Sequence, residues 1–255
     1  MSRRVNAGEK GRAPGRSQAG PHPLGGSLDV PVERGAHIFR ASVARITRLA
    51  WPVFFGQVAM VLYATVDTLL VARYSAIDLA ALAVGSAAYI TVFIGLMGVV
   101  LAVGPIVGQL FGAKRHAAAG EQLHQAVWLA LGLALLGSAL LIFPQPFIAL
   151  SRSTPEVAAK LRDYLLALAL ALPAGLLFAA FRGFNNAVSR PKAVMVLQLS
   201  GLVLKAPLAA LLVHGAGPLP ALGVAGCGLS TAIAMWCLVL ASWWVLRRDP
   251  FYAPF

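Results

Sequence analysis

Two ionisable side chains in this 255-residue chain stand inside long apolar runs. Asp67 lies in WPVFFGQVAMVLYATVDTLLVAR (residues 51–73), and Lys205 lies in QLSGLVLKAPLAALL (198–212). A charge in hydrocarbon is expensive when alone, so such a group faces a partner or a watered cavity and usually has a task. A carboxylate placed there can take up and release a proton or a small cation. An ammonium placed there is a fixed charge that can hold it. The bland alternative is a structural acid that pairs inside a helix bundle. Helical spacing puts Pro52, Gly56, Met60, Tyr63 and Asp67 on one stripe, with Val, Leu, Phe and Ala opposite; Gln198, Gly201 and Lys205 form a second stripe.

The elements that must carry these groups follow from composition. The chain is 59% hydrophobic and 12% charged, with a mean hydropathy of +0.77. A soluble domain carries about twice that share of charge. The apolar residues group into six blocks, near 46–72, 79–110, 122–143, 159–181, 192–214 and 220–246. Each exceeds the ~20 residues needed to span a bilayer as a helix. The expected fold class is an all-α membrane protein, a bundle of six transmembrane helices. Three segments are expected: a disordered basic cytoplasmic tail (1–42), the six-helix body (43–248) and a short C-terminal tail (249–255). Within the first, residues 34–48 set Ile38, Phe39, Val43 and Ile46 among four arginines, which fits a short interfacial helix or a plain basic flank.

The net charge of +12 is explained by topology rather than by nucleic acid. With both termini in the cytoplasm, sixteen of the 21 Lys and Arg fall on that side. Four (Arg73, Arg152, Lys160 and Arg162) fall outside, and Lys205 lies in the fifth span. Arg182 is counted here in the cytoplasmic loop after the fourth span. Arg3-Arg4 is not read as a twin-arginine signal, because no apolar region follows soon afterwards. Gly104-Pro105 is expected to bend the second span, Pro173 the fourth. Ser153-Thr154-Pro155-Glu156 reads as a helix start. Gly226 and Ser230 make a small-xxx-small packing face.

Several chemistries find no support. Ser230 has no base or acid in reach of a triad pattern. No Walker loop or dinucleotide fingerprint occurs. Cys227 and Cys237 are ten helical residues apart, roughly 15 Å, too far for a disulfide. The expectation is a non-enzyme without a metal or organic cofactor.

The stretches LAWPVFFGQVAMVLYATVDTLLVAR, LAVGPIVGQLFGAKR, AAFRGFNNAVSRPKAVMVLQLSGLVLKAPL and LPALGVAGCGLSTAIAMW, in that order, resemble the first six helices of the multidrug and toxic compound extrusion (MATE) transporters, NorM-like branch. The resemblance covers roughly residues 43–248. It implies one six-helix lobe, the N-terminal one, of a twelve-helix antiporter that exports cationic amphiphilic compounds in exchange for H+ or Na+. It further implies a bacterial inner-membrane location. The family's first-helix acid falls on Asp67, its bending proline on Pro52 and its cavity tyrosine on Tyr63. Only these three are carried over; the helical stripes and the buried charge, rather than the resemblance, add Met60 and Gln198 as expected substrate-cavity residues, Lys205 as an ion-coupling residue beside Asp67, and Pro207 as a second hinge. The family often carries two asparagines in the fifth span; here those places hold Lys205 and Ala209. A fixed ammonium disfavours Na+ beside Asp67, so H+ is the expected coupling ion.

The expected partners are the lipid bilayer, small cationic drugs, and a second lobe or a second copy of the chain. Transport cavities of this kind lie between repeats, so one lobe supplies one wall. The competing readings are a truncated membrane protein that moves nothing and a relative of the lipid-linked sugar flippases. A flippase cavity needs several basic side chains for a pyrophosphate, whereas the sequence places only Lys205 in the spans. Asp67 lies 19 residues from Arg48, roughly 28 Å along a helix; Lys205 lies 13 residues from Lys192, roughly 20 Å. Helix tilt and the lysine stem can close that difference, and the two are therefore expected to pair across the cavity.

Overall fold

The computed structural model describes the backbone of residues 32–215 and 220–255, and the side chains of these from residue 43 onward except 44, 45, 48 and 49. Residues 1–31, most of the expected tail, lie outside the described residues, as do the side chains of Ile38 and Phe39. The expectation of disorder to residue 42 is corrected in part, since the backbone is helical from Val32. The chain divides into two compact units, Met1–Ala44 and Arg45–Phe255, and all six apolar spans belong to the second.

Eight helices are described: α1 (Val32–Ala72), α2 (Ala76–Leu101), α3 (Val103–Gly112), α4 (His116–Ile142), α5 (Gln145–Ser151), α6 (Pro155–Ala187), α7 (Pro191–His214) and α8 (Val224–Arg248). A 3-10 turn, Pro250–Tyr252, comes after them. Six stretches are long and apolar enough to cross a membrane: Ala50–Ala72, Ala76–Gly112 (α2 with α3), and α4, α6, α7 and α8. These match the six expected blocks, with helix ends displaced by a few residues.

Two local differences have plain causes. The second span breaks at Ala102, two residues before Gly104-Pro105. Pro105 has no N–H for the Leu101 carbonyl and its ring presses on that carbonyl, so the regular ladder ends one turn early. The 144–158 loop contains a further short helix, α5, started by Pro144-Gln145-Pro146. The helix start at 153–156 is where the sequence puts it: Thr154 is the N-cap, Pro155 opens α6 and Glu156 is in its first turn.

The body is built around α6, the most buried of the spans. It packs against α2, α4, α7 and α8. Leu161, Leu165, Leu168, Leu172 and Leu176 are fully buried along it. Glycines on its neighbours set the approach. A Cβ at Gly85 of α2 would stand 2.5 Å from the Tyr164 ring, one at Gly137 of α4 would stand 2.5 Å from Leu96 and 3.0 Å from Leu172, and one at Gly228 of α8 would stand 2.8 Å from Ala167. Without water to drive helices together, such close contact supplies most of the association energy in lipid. Trp51, Phe54, Val61, Leu69, Trp128, Leu135, Val203 and Trp243 remain exposed, which is what lipid-facing positions require.

The C-terminal tail folds back beneath α3, α4 and α6. Arg190 pairs with Asp249, and the Tyr252 hydroxyl donates to Asn185 Oδ1. Asn185 is fully buried. Phe255 stacks on Phe111 and meets His116 and Phe184 edge-on.

Candidate functional site

The α1 stripe forms as spaced. Pro52, Gly56, Ala59, Tyr63, Asp67 and Val71 are buried, and Met60 stands at the rim. It lies against the α7 stripe of Gln198, Gly201 and Lys205, all buried. Two glycines let the helices meet. A Cβ on Gly56 would stand 2.4 Å from Gln198 Oε1, and one on Gly201 would stand 2.2 Å from the Tyr63 hydroxyl. The Tyr63 hydroxyl donates to the Gln198 carbonyl at 3.4 Å. α1 runs unbroken through Pro52 and α7 through Pro207.

Lys205 Nζ donates to Asp67 Oδ2 at 2.6 Å. Lys205 is 2% exposed and Asp67 8% exposed, so this ion pair is held away from water. The ammonium also stands 4.9 Å from the centre of the Tyr63 ring. Desolvation makes such a pair fragile unless every lone pair is satisfied. Here Asp67 Oδ1 has no hydrogen-bond partner among the described residues. That oxygen is chemically open to a proton or a hydrogen-bond donor.

The pair sits in the wall of a cavity of about 240 Å³. Met60, Tyr63, Gln198 and Lys205 line it, as the sequence stripes require. Residues from α2, α6 and α8 complete it, and these the sequence reading did not assign. Tyr89 and Phe93 of α2 stack with ring centres 5.5 Å apart. They lean in over Gly175 of α6, where a Cβ would stand 2.9 Å from the Phe93 ring. Thr231 and Met235 come from α8.

Arg182 is the main correction. It is not in a loop: α6 continues to Ala187 and turns Arg182 into the cavity. Tyr164, Leu168, Gly175, Phe178, Ala179 and Arg182 all line the cavity at helical spacing. Continuing the α6 stripe past residue 181 would have found it. A second buried acid was also unassigned. Asp78, in the first turn of α2, is 2% exposed, stands 3.6 Å from Lys160 and accepts from the Val224 N–H at 3.5 Å. Ser230, set aside as a nucleophile, donates to the Cys227 carbonyl at 2.7 Å. Gly226, its packing partner, lies where a Cβ would stand 2.4 Å from the Leu212 carbonyl oxygen.

Comparison with known proteins completes the assignment. The MatE family model matches residues 52–211. The chain is similar to the probable multidrug resistance protein NorM of Aromatoleum aromaticum, at 46% identity over 83% of this chain and 46% of that protein. It is similar to the multidrug resistance protein PmpM of Pseudomonas aeruginosa, at 34% identity over 88% and 47%. In fold it resembles the eukaryotic MATE transporter AtDTX14 with a TM-score of 0.77, at 17% identity over 85% of this chain and 48% of that one. It also resembles the Vibrio cholerae MATE transporter VcmN in its bent form, with a TM-score of 0.75, at 18% identity over 84% and 49%. The chain spans about half the length of the curated relatives it matches. On these grounds the six-helix bundle is a multi-pass membrane protein of the MATE family, whose members are transporters and not enzymes.

Proposed function

We propose that this chain forms the N-terminal lobe of a multidrug efflux antiporter and acts together with a second lobe. It exports amphiphilic compounds in exchange for protons across the bacterial inner membrane, with both termini in the cytoplasm. The observation that carries the reading is the Lys205–Asp67 pair in the cavity wall, with Asp67 Oδ1 left open. A proton and the Lys205 ammonium compete for one carboxylate, so protonation frees the lysine and alters the cavity wall. A Na+ ion would have to displace or sit beside a fixed ammonium 2.6 Å from the same oxygen, which disfavours sodium. The aromatic and methionine lining suits flat, apolar cations of varied shape.

The test is expression in an efflux-deficient host, alone and with the second lobe of a NorM relative, read as ethidium efflux. The chain alone confers no efflux. With the second lobe, efflux follows a proton gradient and is lost in Asp67→Asn. Efflux that survives Asp67→Asn refutes the coupling role. Asp67-dependent efflux by the chain alone, with a crosslinked dimer, replaces the second lobe by a second copy. Orientation is tested separately: Lys114→Cys labels only from the cytoplasmic side and Ser153→Cys from the outside.

A further inference from the structure

A groove outside the central cavity joins an apolar floor to a basic rim. It opens at the end of the bundle where α6 gives way to α7 and where α8 ends, with a volume of about 500 Å³. Ala193, Val196, Leu197 and Val245 supply its apolar surface; Arg190, Lys192 and Asp249 supply its charges. Arg190 and Asp249 answer each other, and Asp249 Oδ1 also accepts from the Phe251 N–H at 3.0 Å. Lys192 is exposed, and no carboxylate pairs with it among the described residues. The lining therefore carries one net positive charge, and that charge is Lys192. No side chain caps the start of α7 and no acid stands in its first turn, so the positive end of that helix adds to the same rim with nothing to offset it.

Two tryptophans mark the level of the groove. Trp243 and Trp244 are exposed beside Val245, and Arg247 stacks over the Trp243 ring at 4.0 Å. Aromatic side chains and arginine at the end of an apolar span belong to the boundary between hydrocarbon and water. On α7, Lys192, Val196 and Val203 are all exposed and lie within about 40° of one another around the helix. This stripe begins at a free ammonium, passes Val196 one turn deeper and reaches Val203 about 16 Å along the axis. A ligand lying on it meets a cation at one end and bare aliphatic surface at the other.

We infer that this groove binds an anionic phospholipid, with the phosphate at Lys192 and the first turn of α7 and one acyl chain along Val196 and Val203. Basic pockets between transmembrane helices at the headgroup level are suited to such lipids. An anionic lipid supplies both chemistries at once. A phosphocholine would bring its own ammonium beside Lys192, and a soluble phosphate would leave Val196, Leu197 and Val245 uncovered. The inference does not depend on what the central cavity carries.

The test is native mass spectrometry of the delipidated full chain, titrated in detergent with phosphatidylglycerol or with phosphatidylcholine of the same acyl chains. The first phosphatidylglycerol binds about fivefold more tightly than the first phosphatidylcholine, the ratio that one interfacial cation makes. Lys192→Gln removes that preference and leaves phosphatidylcholine binding unchanged, which also shows that the variant is folded. Lys114→Gln takes the same charge from the same end of the bundle, outside the groove, and keeps the preference. Glycerophosphoglycerol, the headgroup without chains, displaces none of the lipid at equal concentration. Equal binding of the two lipids by the wild type overturns the assignment, as does a preference that survives Lys192→Gln or falls as far in Lys114→Gln. Displacement by the headgroup alone overturns it in favour of a soluble anion.

Discussion

Asp67 and Asp78 are both acids buried within membrane-spanning stretches, yet the fold treats them differently. Asp78 is tied on several sides. It stands 3.6 Å from the Lys160 ammonium and accepts from the first N–H of α8. Its own N–H bonds to Ser75 Oγ at 3.3 Å. Gly223, with φ +57°, brings the chain close enough that a Cβ there would meet both carboxylate oxygens at 3.1 Å. Asp67 is held by the Lys205 ammonium, with the Cys227 thiol as a weaker neighbour, and its Oδ1 accepts no conventional hydrogen bond among the described residues. The first acid joins α2 to the start of α8, where the positive end of a helix welcomes a negative charge. The second is held by one charge-assisted bond, to a removable ammonium. Burial alone thus does not mark an acid as functional; what distinguishes the two is how much of the carboxylate's bonding capacity the fold has already used.

The contrast breaks most visibly at Lys205. Lys205→Met strands a buried carboxylate and is expected to destabilise the chain by about 3–5 kcal/mol. Unfolding in mixed micelles measures this, and the double variant Asp67→Leu/Lys205→Met recovers most of the loss. A single variant as stable as the wild type would mean that water already reaches Asp67. Next comes Gly223→Ala. It forces a side chain into a left-handed conformation and against Asp78, at a cost of about 1–2 kcal/mol read in the same unfolding measurement. Smaller still is Asp78→Asn. Its amide oxygen still accepts from Val224, and Lys160 is about half exposed, so about 0.2–1 kcal/mol is lost.

The smallest effect sharpens the contrast from outside the membrane. The Phe251 N–H and the Arg190 guanidinium hold the Asp249 carboxyl below the usual carboxylate range. A depressed value means that its stabilisation is complete above the unfolded-state pKa, about 3.9, and fades only as pH falls through the lower folded value. Asp249→Asn should therefore lower the melting temperature slightly and equally at pH 6 and pH 8, with the difference beginning to fade only below about pH 4. A loss that changed between pH 6 and pH 8 would point to another titrating group.

The six spans, the α6 start and the paired stripes of α1 and α7 were legible in the sequence. Apolar block length and a 3.6-residue period depend on local chemistry alone. Even the meeting of Asp67 with Lys205 followed from depth along two helices and the expense of a lone charge. Arg182 was misplaced because the block was ended at the charge that closes its apolar run. A charge can close an apolar run without closing a helix, and the backbone continues as long as its hydrogen bonds do. Asp78 escaped notice for the mirror reason, lying at the edge where an apolar block begins.

The tertiary structure decided the rest. Which faces of α2, α6 and α8 close the cavity depends on side-chain shapes meeting at Gly85, Gly175 and Gly228, and no period along one helix carries that information. Likewise, whether a buried acid is spoken for depends on neighbours more than a hundred residues away, Lys205 for Asp67 and Val224 for Asp78. Residue types determined that charges would have to be partnered in lipid; only the packing of six helices determined which oxygen was left open.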